Sequence, residues 1–184
     1  MFKAVQLLVI VLVMAFCCAT PIWAAPSDIT SDALLYSVNT VREQNGLPSL
    51  MMNEKLIVAA RLKAEDMKNN EYWAHINPKT NDTGWTFIQR TGYHYTKAGE
   101  NLAKDYQSVN GVIQGWLNSP KHKNVMLSKT YTETGIAVIY YQKDGIEQAL
   151  VVELFALPYQ KPESVVVNFI SLAFGKVLNN IITL

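Results

Sequence analysis

Cysteine is almost absent from the sequence. The two cysteines that occur, Cys17 and Cys18, are adjacent and lie within the apolar first 25 residues. Removal of that segment would leave a chain without a thiol. A disulfide framework, a thiolate nucleophile and a cysteine-based metal site would then all be excluded. Neither cysteine follows the small residues typical of a lipoprotein signal, so lipid attachment is not expected.

Charge is also scarce, and it is balanced. Only 17% of the residues are charged, the formal net charge is +1, and apart from Lys3 there are 15 basic and 15 acidic residues. No basic block or arginine-rich stripe occurs, so nucleic acid is not an expected partner. The motifs HExxH and GxSxG, a glycine-rich phosphate loop and EF-hand spacing are missing as well.

Hydrophobic residues are concentrated at the two ends of the chain. By direct count, 21 of residues 1–25 and 13 of residues 165–184 are apolar. Lys3, the long apolar run after it and the small residues before Pro26 predict a secretory signal peptide over residues 1–25. An N-terminal membrane anchor is the alternative. We therefore expect a protein that is secreted and extracellular or associated with the cell surface.

The second apolar end, residues 164–184, could form a helix just long enough to span a bilayer, at about 1.5 Å per residue. Lys176 opposes spanning, because a lysine near the bilayer centre costs roughly 2.5 to 3.5 kcal/mol. Polar residues near helical spacing leave a broad apolar face. We expect an apolar helix that contacts a membrane surface or a partner. A spanning anchor and a helix folded onto the domain are the alternatives.

Between these ends, local patterns predict helices first and a β-hairpin last. Capping residues and helical spacing predict four helices: Thr30 or Ser31 to about Gly46, Asn53 to about Asn69, Thr83 to Arg90 and Ser108 to Asn118. Strands are expected over residues 135–141 and 149–156, joined by a turn at Asp144-Gly145. This order indicates a layered α+β domain.

Two further expectations concern the surroundings of these elements. A loop is expected over residues 69–82 and a turn around Gly99. The apolar face of the second helix includes Leu56, Ile57, Ala60, Ala64 and Met67, while Lys63, Asp66 and Lys68 are expected outside it. Aromatic residues could line a groove for glycans or lipids, although buried packing is the commoner role; they are Trp73, Trp85, Trp116, Tyr72, Tyr93 and Tyr95.

Several short motifs occur in a characteristic order. His75 lies in a His-x-x-Pro setting, the run Gly-Glu-Asn-Leu-Ala occupies residues 99–103, and Ser119-Pro120 precedes His122. The pattern also includes Trp116 before this segment, Asn124 within it and the later Gly135-Ile136-Ala137. Near the start of the domain it includes Asn39, Arg42, Asn45-Gly46-Leu47-Pro48 and Leu50. Over residues 31–157 the chain resembles the CAP superfamily, also called the SCP-like extracellular domain, and in particular its cysteine-free bacterial branch.

The resemblance implies a fold and a site. The fold would be a three-layer α-β-α sandwich with a small antiparallel sheet. The site would be an open cleft in which His75 and His122 are the two histidines and Glu100 is an acidic residue. Many eukaryotic members carry a second glutamate three residues after the tryptophan, and that position is Ser119 here.

These residues allow more than one chemistry. Two imidazoles and a carboxylate suit a divalent cation such as zinc, with His75, His122 and Glu100 as ligands. Without metal, Glu100 could instead hydrogen-bond the imidazoles and stabilise their charged forms. No clear nucleophile accompanies them, since Ser119 is the only hydroxyl that the motif places nearby.

Two classes of function follow. The first is a binding or interaction module at the cell surface, acting on an unidentified lipid, glycan or peptide. The second is a peptidase-like hydrolase that uses the three cleft residues, with or without a divalent metal. The resemblance does not decide between them, because one fold hosts many functions.

Overall fold

A computed structural model describes residues 29–143 and 145–161 of the chain. The predicted signal peptide over residues 1–25 and the apolar segment over residues 164–184 lie outside the described residues. Within the described ranges, no helix is both long enough and apolar enough to cross a membrane.

The described part of the chain contains five helices and four strands. The helices are α1 (Ser31–Gln44), α2 (Glu54–Asn69), α3 (Gly84–Arg90), α4 (Val109–Asn118) and α5 (Pro120–Met126). The strands are β1 (Met51–Met52), β2 (Tyr95–Lys104), β3 (Glu133–Lys143) and β4 (Ile146–Pro158). The four predicted helices are confirmed, and each begins at its predicted cap: the side chains of Thr30, Asn53, Thr83 and Ser108 accept hydrogen bonds from backbone amides of the first turn.

The sequence did not predict three of these elements, which are β1, β2 and α5. The turn expected around Gly99 is wrong, because Gly99 lies inside the ten-residue strand β2. Pro120 ends α4 as predicted, since the residue before a proline avoids helical geometry and Ser119 is extended. The same proline also begins α5, because its fixed φ and missing N–H suit the first position of a helix.

The four strands form one sheet in the order β1-β3-β4-β2. Strands β3 and β4 are the predicted hairpin, and β4 also pairs antiparallel with β2. The two-residue β1 pairs parallel with β3, so the sheet is antiparallel except at that edge. Strand β2 therefore lies at the opposite edge, which is where Glu100 is located.

Helices cover both faces of the sheet, as the predicted α-β-α sandwich requires. Alternate residues of β4 point to opposite faces: Val152 and Leu154 pack under α2 and α3, while Val151 and Phe155 pack under α1, α4 and α5. Helix α2 approaches β3 so closely that a β-carbon on Gly135 would lie 2.1 Å from the backbone of Leu56. Glycine is the residue that permits this helix–sheet contact.

Candidate functional site

His75 and Glu100 form a hydrogen-bonded pair beside the edge strand. His75 Nδ1 lies 2.5 Å from Glu100 Oε1. The Glu100 side chain is 5% exposed, whereas that of His75 is 58% exposed. With Nδ1 engaged, Nε2 is the ring nitrogen left for water, a ligand or a metal ion. The structure thus brings together two of the three residues that the sequence singled out.

The backbone of β2 fixes the position of the Glu100 carboxylate. Glu100 is opposite Leu154 of β4 and lies on the sheet face that α2 and α3 cover. Gly84, the first residue of α3, faces the carboxylate, and a β-carbon there would lie 2.4 Å from Oε2. Glu100 Oε2 is buried and has no hydrogen-bond partner among the described residues. A buried acceptor in this state can take a donor from a bound molecule.

Lys63 of α2 holds the loop that carries His75. Its Nζ donates to the carbonyl oxygens of Ala74 and His75, each at 3.1 Å, and to the Tyr72 hydroxyl at 2.9 Å. The expectation that Lys63 lies outside the apolar face of this helix is wrong, since this residue is fully buried. The free-energy cost of burying this ammonium group is offset by its three oxygen acceptors and by the Tyr72 ring, which lies 4.8 Å from Nζ. Burial lowers the pKa of Lys63, and the Glu100 carboxylate opposes this effect.

Asp66, one turn further along α2, anchors the same loop. Its Oδ2 accepts from the Tyr72 hydroxyl at 2.5 Å and from Asn77 Nδ2 at 3.0 Å. Asn77 is fully buried, and its Oδ1 accepts from the amide of Lys79, which turns the chain. Burial and the bond to Asp66 raise the pKa of Tyr72, so Tyr72 remains a neutral donor. The loop predicted over residues 69–82 is thus tied to α2 by buried polar contacts.

His122 lies on α5, in the other helical layer. It is half-buried, and Asn101 Nδ2 donates to its carbonyl oxygen at 3.1 Å, which ties α5 to β2. Burial lowers the pKa of the His122 ring, and the neighbouring charge of His75 lowers it further. The two histidines are therefore close enough to influence each other. No hydrogen bond joins the His122 ring to His75 or Glu100 among the described residues.

A cleft of 380 Å³ opens beside the His75–Glu100 pair. Its polar side chains are those two together with Thr83 and Tyr131, while its other walls are apolar or aromatic. The other lining residues are Ile76, Gly84, Trp85, Ala98, Gly99 and Val125. Ile76 is 52% exposed at the cleft. The cleft therefore combines an imidazole and a buried, unpartnered carboxylate oxygen with an apolar rim.

Aromatic side chains close the free edge of β2. The Tyr131 hydroxyl donates to the carbonyl of Ala98, and the Trp116 indole N–H donates to the carbonyl of Leu102, both at 3.0 Å. Side chains thus satisfy backbone acceptors that another strand would otherwise take. Trp116 is 1% exposed, so its role is packing. This closure fixes the strand that carries Glu100.

The remaining aromatic candidates do not lie in one place. Trp85 lines the cleft, whereas Tyr93 is buried and donates to Glu133. Trp73 and Tyr72 line a second groove of 590 Å³, where Lys104 Nζ lies 5.2 Å from the Trp73 ring. A single aromatic groove is therefore not formed.

Sequence reasoning missed Lys63, Gly84 and Tyr131 as contributors to the site. A signal for Lys63 was present, because it follows Ala60 by three residues and precedes Met67 by four, which places it on the apolar face of α2. Gly84 and Tyr131 carry no local signal, since their contacts depend on strand pairing. Ser119 occupies the family's second glutamate position, and its side chain makes no cap hydrogen bond to α5.

The cleft offers few ligands for a metal ion. Among the described residues, no group of three or more His, Cys, Asp or Glu side chains is arranged to hold one. His75 nevertheless has the form of a metal ligand oriented by a carboxylate, with Glu100 on one nitrogen and the other nitrogen open. A cation would need His122 as a second ligand and water for its remaining positions.

The three layers, the small sheet and the His–Glu cleft at its edge define an α-β-α sandwich of the SCP type. The sequence profile named CAP, the cysteine-rich secretory protein family, matches residues 35–155. The chain therefore belongs to the CAP family, and the resemblance seen in its motifs is confirmed.

Known relatives agree with this assignment. The uncharacterised protein YkwD of Bacillus subtilis is 30% identical over 118 residues, which cover 63% of this chain and 46% of YkwD. An extracellular SCP-domain protein of Bacillus anthracis has a solved structure that is similar at a TM-score of 0.60 and 26% identity, covering 73% of this chain and 45% of the other. An outer surface protein of Borrelia burgdorferi shares the fold at a TM-score of 0.62 and 22% identity, over 74% of this chain and 100% of the other. This chain spans less than half of YkwD.

Proposed function

We propose that the chain acts outside the cell, secreted or held at the cell surface, as a binding module whose CAP domain takes a ligand in the His75–Glu100 cleft. The observation that carries this proposal is the hydrogen bonding of the Glu100 carboxylate. One of its carboxylate oxygens bonds His75, and the other is buried beside an open cleft without a partner. A ligand that donates a hydrogen bond to Oε2 would satisfy that oxygen.

The walls of the cleft narrow the ligand chemistry. Ile76 and Trp85 provide apolar contact next to the carboxylate. A suitable ligand therefore has a hydroxyl, amide or ammonium donor attached to an apolar or sugar-like face. Lipids, glycans and peptides each contain such a combination, so all three remain as ligand classes.

A screen with defined probes tests this proposal. The full chain, labelled with ¹⁵N and ¹³C in a mild detergent, would be mixed separately with phosphatidylglycerol micelles, soluble peptidoglycan fragments and a mixture of short peptides. Binding at the cleft predicts saturable shifts of the His75 and Trp85 ring signals by one class. Signals of exposed His94, in the loop before β2, serve as the control. Three probes without any shift at the cleft would contradict the proposal.

A hydrolase is the second candidate, and it has less support. The hydroxyl groups that line the cleft belong to Thr83 and Tyr131, within the described residues. Thr83 Oγ1 caps α3, and the Tyr131 hydroxyl donates to Ala98. A hydrolase would therefore depend on a water molecule activated by His75. A substrate screen that compares the wild type with Glu100→Gln separates the classes, since hydrolysis lost by a folded variant would favour the enzyme.

A divalent cation such as zinc is proposed as an optional occupant. The exposed His75, oriented by Glu100, and the half-buried His122 are the residues that would hold it. Since Ser119 provides no carboxylate at the position where many eukaryotic members of the family have a glutamate, we expect weak binding.

A further inference from the structure

Two buried polar side chains lie on the sheet face opposite Glu100, and each has an oxygen without a hydrogen-bond partner. Glu153 of β4 and Asn101 of β2 are both fully buried, and the oxygens concerned are Glu153 Oε2 and Asn101 Oδ1. The two residues are Cα partners in the antiparallel β2–β4 register. Directly opposed residues place their side chains on the same face, with β-carbons about 4.5 to 5.5 Å apart. The two oxygens therefore belong to neighbouring side chains.

Both oxygens are acceptors, so a bond between them requires a proton on one of them. The Asn101 amide is already oriented, because its Nδ2 donates to the carbonyl oxygen of His122 at 3.1 Å. Its Oδ1 is the end that remains. Of the two groups, only a carboxylic acid can carry the missing proton.

The surroundings of Glu153 favour its neutral form. Burial raises the pKa of the Glu153 carboxyl to about 8, although a bond from Thr134 and the charge of Arg42 both lower it. Thr134 Oγ1 lies 3.0 Å from Glu153 Oε1 and 3.0 Å from the Leu154 carbonyl. Its one proton cannot serve both at once, so Thr134 does not fix a negative charge on Oε1.

Arg42 does not form a direct ion pair with Glu153. Its guanidinium, buried on α1, donates to four carbonyl oxygens. The other titratable side chains of the helices on this face are half-buried His122 and a set of exposed residues: Asp32, Tyr36, Glu43, Lys121 and Lys123. Half-buried Tyr131 and Tyr140 flank the same face, and each hydroxyl donates to a carbonyl.

We propose that Glu153 is a neutral carboxylic acid whose O–H donates to Asn101 Oδ1, and that this bond fixes the amide that holds the His122 carbonyl. Glu153 is then a positioning residue that acts on the cleft from behind the sheet. The inference rests on the proposed function only in taking His122 as a site residue. The Glu153–Asn101 bond itself does not depend on any ligand.

Loss of the proton has a predictable effect. An ionised Glu153 offers only acceptors, so the Asn101 amide is expected to turn its NH₂ group toward the carboxylate and release the His122 carbonyl. Since the folded-state pKa lies above the ordinary value of 4.5, the stability that Glu153 contributes is complete below pH 4.5. That stability is lost as the pH rises toward about 8.

The test compares Glu153→Gln with Glu153→Leu in the full chain, purified in a mild detergent without ligand. The glutamine amide can donate to Asn101 Oδ1 at every pH, whereas leucine has no donor. NMR would follow the Asn101 side-chain NH₂ signals, the His122 backbone amide and the Glu153 carboxyl carbon from pH 5 to 9.5.

The wild type is expected to show one transition near pH 8, shared by the three signals. Glu153→Gln should match the wild-type spectrum at pH 6 and lose the transition, and Glu153→Leu should shift the Asn101 and His122 signals at every pH. A carboxyl carbon already ionised at pH 6 would overturn the proposal. A Gln variant that differs from the wild type as much as the Leu variant would do the same. Because no ligand is present, a failure here is distinct from a failure of the cleft to bind.

Discussion

The exposed imidazole of His75 rests on the buried carboxylate of Glu100, with 2.5 Å between Nδ1 and Oε1. The two residues come from different layers: Glu100 from the edge strand and His75 from a loop that Lys63 and Asp66 anchor to α2. The position of this exposed ring therefore depends on a buried carboxylate.

Gly84 should be required for the position of Glu100. Replacement Gly84→Ala places a β-carbon 2.4 Å from Glu100 Oε2. We expect a loss of about 1 to 3 kcal/mol in the free energy of unfolding, as for other overpacked sites. Urea denaturation measures it. Gln89→Ala, exposed on the same helix, is the matched control and should change stability by less than about 0.5 kcal/mol. An equally small effect of both substitutions would show that the carboxylate can move aside.

Lys63 should stabilise the His75 loop. Replacement Lys63→Met keeps most of the aliphatic stem but leaves the carbonyls of Ala74 and His75 without their donor. We expect a loss of about 1 to 3 kcal/mol in stability and faster amide hydrogen exchange in residues 72–77. Lys68→Met removes an exposed lysine from the same helix and should do neither. Unchanged exchange in the Lys63 variant would contradict the anchoring role.

Titration of His122 should depend on His75. Burial and the charge of His75 hold the pKa of His122 below its usual value of 6.5. Since the folded-state pKa is the lower one, protonation of His122 costs stability as the pH falls below 6.5. In His75→Ala the pKa of His122 should rise but stay below 6.5, because burial remains. NMR of the ring C–H signals measures this, with His94→Ala as control. A pKa that is unchanged or lower in His75→Ala would refute the coupling.

Zinc should bind weakly at the same two histidines. Titration with zinc up to millimolar concentration is expected to shift the ring signals of His75 and His122 together, and His122→Ala should weaken the response of His75. The His94 signal should not follow. Absence of any shift at millimolar zinc would remove the metal from the account.

Residues 164–184 should determine whether the protein associates with the membrane. Deletion of this segment is expected to move the protein from the membrane fraction to the soluble fraction when expressing cells are fractionated. Substitution of Ile170 and Phe174 by serine keeps the length of the segment but interrupts its predicted apolar face. This variant should therefore also leave the membrane fraction. A deletion variant that stays wholly with the membrane would exclude this segment as the anchor.

The sequence predicted those parts of the fold that depend on local signals. Thr30, Asn53, Thr83 and Ser108 cap helices because a short polar side chain can satisfy free amides wherever a helix begins. Strand β2 was missed because Glu100 and Asn101 interrupt its apolar pattern, although both are buried. These two residues do not follow the local rule that buried strand positions are apolar, and exceptions of this kind are common at functional sites.

The sequence also predicted only part of the candidate site. Family motifs identified His75, Glu100 and His122, but only the first two share a hydrogen bond. The unpartnered oxygen of Glu100, the fit of Gly84 and the buried Lys63 all arise from elements that are distant in sequence. Such contacts depend on register and layer packing, which local patterns do not contain.

The affinity of the probe that binds the cleft, measured for the wild type and for Glu100→Gln, tests the central claim most directly. The amide can still accept from His75 but offers an NH₂ group where Oε2 accepted a donor. A hydrogen bond to a charged group contributes about 1.5 to 3 kcal/mol, so we expect roughly ten- to hundredfold weaker binding with the fold retained. Glu71→Gln, an exposed glutamate outside this cleft, should bind like the wild type. Equal affinity of the wild type and Glu100→Gln would contradict the claim that Glu100 receives the ligand.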